Sequence, residues 1–378
     1  MAENPHLLAN EIHGTFGTGL TGTNFPTRIT GLANDFPTGN VRNDYLYKRV
    51  LREYYRNLDN HGFTGFQTDA VDAGFTPLTI TGFFDTEVNV LLGVDPVTLF
   101  FDLFPGALGA YSLRKLNPNY SGPAVKIRRT SDNAEADVAF DSNGEVSENS
   151  VVTITNFPIS PTTLGLFINV NPVTVVKLYD QSLNNNHFTQ LTNSRQPIIA
   201  DAGNLVTSNG KAGIQFRKAN STSLAMPEDS LVGLSSLSYF MAFNPAADVD
   251  SIFSAASSFS SYILDVYYFR SQYIYGIDAG EIVTEAPPPP FDQTTLHSFL
   301  VNSAGSALYV DGQERATFDG STSFLQTAGL SPTLGAFHGG DGGHSTFILS
   351  EFILYNSDQG VNLSGIQENI NSNYSIYS

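Results

Sequence analysis

The chain has 378 residues, of which 41% are hydrophobic and 12% aromatic, enough apolar surface to close a sizeable core and to exclude global disorder. Its 36 acidic against 18 basic residues give a formal net charge of -18. Such a surface repels phosphate backbones and anionic lipid, which argues against nucleic-acid and membrane-surface binding, and the lack of cysteine excludes disulfides and thiolate metal centres.

The opening MAENPHLLANEIHG has neither a basic start nor an apolar core, and nowhere do eighteen apolar residues run together. The expectation is therefore a chain without signal peptide or transmembrane segment. Up to about residue 40 the composition is Gly, Thr, Asn and Pro (TFGTGLTGTNFPTRITGLANDFPTGN), that of an extended arm that becomes ordered by lying on a partner. VRNDYLYKRVLREYYRNLDNHG then places Leu46, Val50, Leu51 and Tyr54 at helical spacing and ends at Gly62. Its basic residues serve either a docking face or a solvated one. Short apolar runs broken by Gly, Pro and Asp follow. Residues 1–103 are read together as an N-terminal arm and attachment region carrying one helix.

From residue 104 to 378 the texture is β. PAVKIRRT, SVVTITNF, TVVKLYD, AGIQFR, SYFMAFN, SYILDVYY, SQYIYGI, HSFLVNS, SALYVDG and STFILSEFILYN are short, β-branched or aromatic, and turn residues separate them as in an all-β sandwich. SALYVDGQERATFDG predicts a hairpin turning at Asp311-Gly312, where glycine supplies positive φ. EAPPPPFDQ is a loop, since four prolines remove the ladder donors. NLSGIQENINSNYS predicts a short C-terminal helix packed on the sheet edge.

LYDQSLNNNHFTQ, residues 178–190, sets one acid among amides and one histidine. Asp180 and the amides of Asn184 to Asn186 suit Asx-type turns, and His187 stands alone, so a structural turn is favoured over a ligand site.

Five segments in order, GALGAYSLRKLNPNYSGPAVKIRRTSD, VVKLYDQSLNNNHFTQ, NGKAGIQF, LGAFHGGDGGHSTFILSEFILYN and GIQENI, resemble the catalytic domain of family 54 α-L-arabinofuranosidases. The resemblance covers roughly residues 104–378 and implies a mainly β fold, a concanavalin A-like (laminin G-like) jelly-roll β-sandwich. Such domains also occur in phage and bacterial adhesion proteins.

Chemistry, if present, belongs in AFHGGDGGHST, where glycines on both sides of Asp341 let backbone approach a ligand and leave the carboxylate projecting. The resemblance assigns Asp341 the general acid/base role, and His338 and His344 of the same loop are candidate ligand-binding residues beside it. A retaining glycosidase also needs a second carboxylate roughly 5 Å away. The M-E-N type context that carries it in the family is not found, and Asp265, Asp278 and Glu281 stand in other surroundings. The family's cysteines and tryptophans are missing too, so the chain is not expected to be an efficient glycosidase.

His338, Asp341 and His344 lie three apart, but the glycines between them rule out the helix that would join them in a metal site. Asp141, Asn143 and Glu145 in DSNGE, and Asp248 with Asp250 in DVD, resemble fragments of calcium loops without the complete ligand series; the resemblance allows one Ca2+ site among them, and solvated turns are the favoured reading of each. Glu351, within ILSEFILYN, is expected to face a donor inside the fold. With no tryptophan, sugar stacking falls to Tyr262, Tyr267, Tyr268, Tyr273 and Tyr275 on adjacent strands, where core packing competes with a glycan platform.

Three function classes remain: a virion structural protein (phage tail, fibre or capsid decoration) displaying a carbohydrate-binding-type sandwich for host-surface glycan adhesion, an active arabinofuranosidase-like hydrolase, and a protein-binding laminin G-like module. The first is favoured, with other virion proteins as partners through residues 1–103, a homo-oligomer (trimer favoured), a possible surface glycan, and release by lysis.

Overall fold

The computed structural model describes residues 99–156, 162–246, 250–258, 261–269, 272–277, 281–285, 291–319, 329, 331–337, 340 and 342–378. Between 256 and 285, and at 318 and 319, it describes the backbone alone. The expected arm and the helix ending at Gly62 lie outside these residues. Leu99–Ser378 forms one compact unit.

This unit is mainly β and antiparallel, as the sequence pattern predicts, and all ten quoted segments contain strands. Its ladder runs through 21 strands folded into two facing layers. The front layer centres on Phe347–Tyr355, which pairs on one side with Gly109–Ser112 and Ile214–Phe216 and on the other with Leu237–Pro245. Thr295–Asn302, Gly305–Val310 and Gln313–Asp319 continue it outward. The back layer begins with Thr162–Thr163, Val151–Ile154, Glu135–Val138, Val125–Arg129 and Val173–Leu178. It proceeds through Phe188–Thr189, Leu224–Ala225, Thr333–Leu334 and Ser251–Ser258 to the meander Ser261–Phe269, Gln272–Ile277 and Glu281–Glu285. Ile198–Asp201 pairs with strands of both layers and carries the ladder between them.

Alternation along the front strands sorts side chains into two cores. Tyr239, Met241 and Phe243, with Phe352 and Leu354, point between the layers and join Val125, Val175, Phe188 and Phe253 of the back layer. There the rings of Phe253 and Phe352 lie 4.8 Å apart. Phe240, Ala242, Ile353 and Tyr355 point the other way, onto the C-terminal helix α3, Leu363–Tyr374, through its Ile366, Ile370 and Tyr374 at i, i+4 and i+8. This corrects the expected placement: the helix covers the outer face of the front layer rather than its edge, because three central strands offer it a second apolar stripe.

Two short helices have no counterpart in the sequence reading. The helix α1, Phe100–Leu103, buries Phe100 in the core beneath α3, a contribution of about 2 kcal/mol. The helix α2, Leu164–Ile168, is capped by the Thr163 hydroxyl. The predicted Asp311-Gly312 turn is present, with φ of 51° and 76° and Val310 facing Gln313.

Glu351 meets its donor. The Arg114 fork reaches it at 2.7 and 2.8 Å, Arg114 also bonds Asn369, and the Tyr374 hydroxyl lies 3.2 Å from the carboxylate. Burial opposes the Arg114 charge, but Glu351 outweighs it and holds the guanidinium charge more firmly than usual. The pair joins the segment after Gly109–Ser112 to the central strand, and Asn369 and Tyr374 tie both to the covering helix.

Candidate functional site

Asp180 and its loop are structural. The carboxylate is buried and accepts from the backbone of Ala110, Ser182 and Asn186 at 2.9, 2.9 and 3.0 Å and from the Ser182 hydroxyl at 2.8 Å. The next residue, Gln181, accepts from Leu116 N and donates to the carbonyls of Ser112 and Arg114. Asn184 and Asn186 donate to the carbonyls of Ala107 and Leu108. His187 Nδ1 accepts from Asp180 N at 3.0 Å, which leaves the proton on Nε2. Positive φ at Leu183 and Asn185 turns the chain so that these groups converge. The loop fastens the 178–187 stretch to the first front strand about seventy residues earlier.

The second polar loop follows the Thr333–Leu334 strand. Gly335 has φ +80°, and a side chain there would meet the Phe216 ring at 2.3 Å and the Thr222 carbonyl at 2.9 Å, so only glycine fits. Phe337 N bonds Gly342 O at 2.8 Å and Gly340 N bonds Phe337 O at 3.1 Å, which makes a tight reversal. Ser345 anchors the exit through Asp250 N and the Ser251 carbonyl. Against this reversal stand side chains from the 190–223 region. The Arg195 guanidinium and the Ser223 hydroxyl are within 3.9 and 3.3 Å of a Cβ placed on Gly340.

Arg195 is half-buried. Its backbone is fixed on both sides, N to Thr192 O and O to Ser223 N. Six other cations are paired with carboxylates: Arg114, Lys126, Arg129, Lys211, Arg217 and Lys218. Among the described residues Arg195 has no such partner. His344 Nδ1 is shielded from solvent with no hydrogen-bond partner among them. Burial, followed by the charge of Arg195, pushes the His344 pKa below its ordinary value against smaller opposing effects of the Gly335 and Thr222 carbonyls and Asp250. Asp250 itself is held by Lys218 at 2.8 Å.

His344 is thus the one member of the expected His338, Asp341, His344 constellation that falls within the described residues; His338 and Asp341 lie outside them, as do Asp248 and Asp278. The strands carrying the tyrosines are adjacent: Tyr268 is opposite Tyr273 and Val266 opposite Tyr275, while Tyr267 is opposite Ile274. Pleat alternation therefore sets Tyr273 and Tyr275 on one face and Tyr267 on the other. Tyr262 pairs with Ala256 beyond a register shift, Asp265 lies opposite Ser254, and Glu281 opposite Ile277.

The calcium fragment has other employment. Asp141 accepts from the backbone of Asn143 and Glu145 and from the Ser147 hydroxyl, closing an Asx turn, and Glu145 pairs with Lys211. Among the described residues no group of three His, Cys, Asp or Glu converges as a metal site. Sequence reading missed Arg195 and Ser223. The available signal was local charge: residues 181–227 carry Arg195, Lys211, Arg217 and Lys218 with Asp201 as the single acid, in a chain with twice as many acids as bases.

No protein-family model and no curated protein matches the chain. Similar solved structures include an arabinofuranosidase complexed with arabinofuranosyl-α-1,2-xylobiose, 16% identical, with a TM-score of 0.47 over 70% of this chain and 62% of that one. A family 54 α-L-arabinofuranosidase soaked with a cyclic sulfate inhibitor is also 16% identical, with a TM-score of 0.47 over 72% and 63%. Trypanosoma rangeli sialidase is 13% identical, with a TM-score of 0.40 over 54% and 32%. The chain spans about three fifths of the length of the arabinofuranosidases it matches.

Proposed function

We propose that residues 99–378 form a glycan-recognition sandwich that binds without turnover, displayed by the preceding arm as part of a virion. The observation that carries this reading is the chemistry around the Gly340 reversal. A guanidinium and a hydroxyl converge on the Gly340 backbone, and, four residues on, the imidazole of His344 keeps a shielded nitrogen without a partner among the described residues, polar groups of the kind that orient a saccharide. The described carboxylate whose charge reaches His344, Asp250, is engaged by Lys218, and a double displacement needs two available carboxylates about 5 Å apart. The virion setting is supported by the arm-like composition of the first forty residues and by what the resemblance to family 54 arabinofuranosidases further implies, that sandwiches of this class also occur in phage and bacterial adhesion proteins. A shallow polar site binds weakly, and assembly in several copies through the arm raises weak contacts to useful avidity.

The test pairs a glycan array, probed with the full chain in oligomeric form, with hydrolysis assays on aryl α-L-arabinofuranoside and arabinoxylan. Binding lost in Asp341→Ala, with no turnover above buffer, is the expected result. Robust hydrolysis abolished by Asp341→Asn would establish the enzyme instead, and binding to no glycan would leave a structural or protein-binding role.

A further inference from the structure

Resting on the glycan reading, we infer that the Gly340 site selects acidic saccharides, with Arg195 as the charge partner of the sugar's anionic substituent. Arg195 is half-buried, and a cation partly withdrawn from water loses solvation that an acceptor or an opposing charge offsets. The buried Arg128 is satisfied by Gln196, Asn133 and the Asn193 carbonyl, while at Arg114 and Arg217 the chain supplies that charge itself, at 2.7 and 2.8 Å. At Arg195 no described carboxylate does so, although acids outnumber bases 36 to 18 over the whole chain.

The side chain is also placed with care. It leaves a three-residue turn, Asn193–Arg195, pinned to Thr192 and Ser223, so little backbone freedom remains to be lost on binding. Ser223 Oγ accepts from Gln190 Nε2 at 3.2 Å, which leaves its proton to donate toward the same reversal. Gly340 contributes backbone without a side chain, and Arg195 would be 3.9 Å from that missing Cβ. A planar, fork-shaped donor beside a hydroxyl suits a carboxylate better than it suits neutral sugar hydroxyls. Burial first, and then the charge of Arg195, holds the His344 pKa below its ordinary value. A uronate carboxylate and a sulfate ester share this chemistry, and the experiment separates them.

The test measures binding by saturation-transfer NMR with the full chain and four probes: a galacturonate trimer, its methyl ester, a neutral galactose trimer and a sulfated galactose trimer. Wild type should bind an anionic trimer about tenfold more tightly than the ester or neutral trimer, a gap expected of one charge-assisted fork. Whichever anionic trimer binds better identifies the substituent. Arg195→Gln should erase that gap without changing the unfolding midpoint, and Arg195→Lys should restore part of it. Equal binding of charged and neutral trimers overturns the inference while the glycan reading stands, as does a preference that survives Arg195→Gln. Binding of none of these probes, together with a blank glycan array, removes the glycan reading and this inference with it.

Discussion

Two histidine-bearing polar loops, 178–190 and 336–346, look alike in composition and differ in their accounting of hydrogen bonds. In the first, Asp180 accepts four bonds, Gln181 makes three and His187 one, all within the fold. In the second, the imidazole Nδ1 of His344 is shielded and without a partner among the described residues, and a half-buried Arg195 stands nearby without a counter-charge among them. Polar groups whose capacity is used up inside the protein hold structure, and those left without a partner keep capacity that a ligand can use. The lesson is that residue type does not separate a lock from a site, whereas satisfaction does.

The comparison breaks most visibly at Asp180. Asp180→Ala strands the amides of Ala110, Ser182 and Asn186 and should lower unfolding stability by about 4 kcal/mol, read as the midpoint of a urea transition. A loss below about 1 kcal/mol would mean that the loop is not a lock. Next is Gly335→Ala, where positive φ and the clash with Phe216 should together cost about 3 kcal/mol, again by urea midpoint. A neutral result would show that the base of the second loop yields easily.

Acid should weaken the fold through histidines held neutral. Burial, with Arg315 adding to it, takes His297 down to about 3, below its ordinary value near 6.5. The unfolded chain then takes up protons first, so stability is full above about pH 6.5 and is lost as the pH falls toward the folded value. At pH 5 the loss from this residue is about 2 kcal/mol. His187 and His344 are lowered too, the first by burial and then by Lys177, the second by burial and then by Arg195, and they act in the same direction. Urea midpoints at pH 7 and pH 5 measure the total. In His297→Leu the difference should shrink to what the two loop histidines contribute, and an unchanged difference would exclude His297 as the main source. The smallest effect is expected at Lys218→Ala, which removes an exposed pair with Asp250 and should alter stability by less than about 0.5 kcal/mol. A larger loss by the same assay would make that pair a support of the second loop.

The strands were legible because alternation along segments such as SYFMAFN is a two-residue code that needs no knowledge of the partner. The helices α1 and α2, at four and five residues, are shorter than two turns and leave no helical period to read. The C-terminal helix was visible, but its seat on the front layer depends on which strands are neighbours, a non-local fact. Asp180 could be read as a turn former, yet its partner Ala110 is seventy residues away and no spacing announces it. Arg195 belongs to no motif. It becomes noticeable only when the side-chain partners of Arg114, Arg128, Arg129 and Arg217 have been found.

The two histidines supply the most direct measurement of the account. In a full chain titrated with the galacturonate and neutral galactose trimers, the ring C–H resonances of His344 should shift with at least one saccharide while those of His187 stay fixed, each assigned by substitution. Shifts at His187 with His344 unmoved would contradict the division between lock and site.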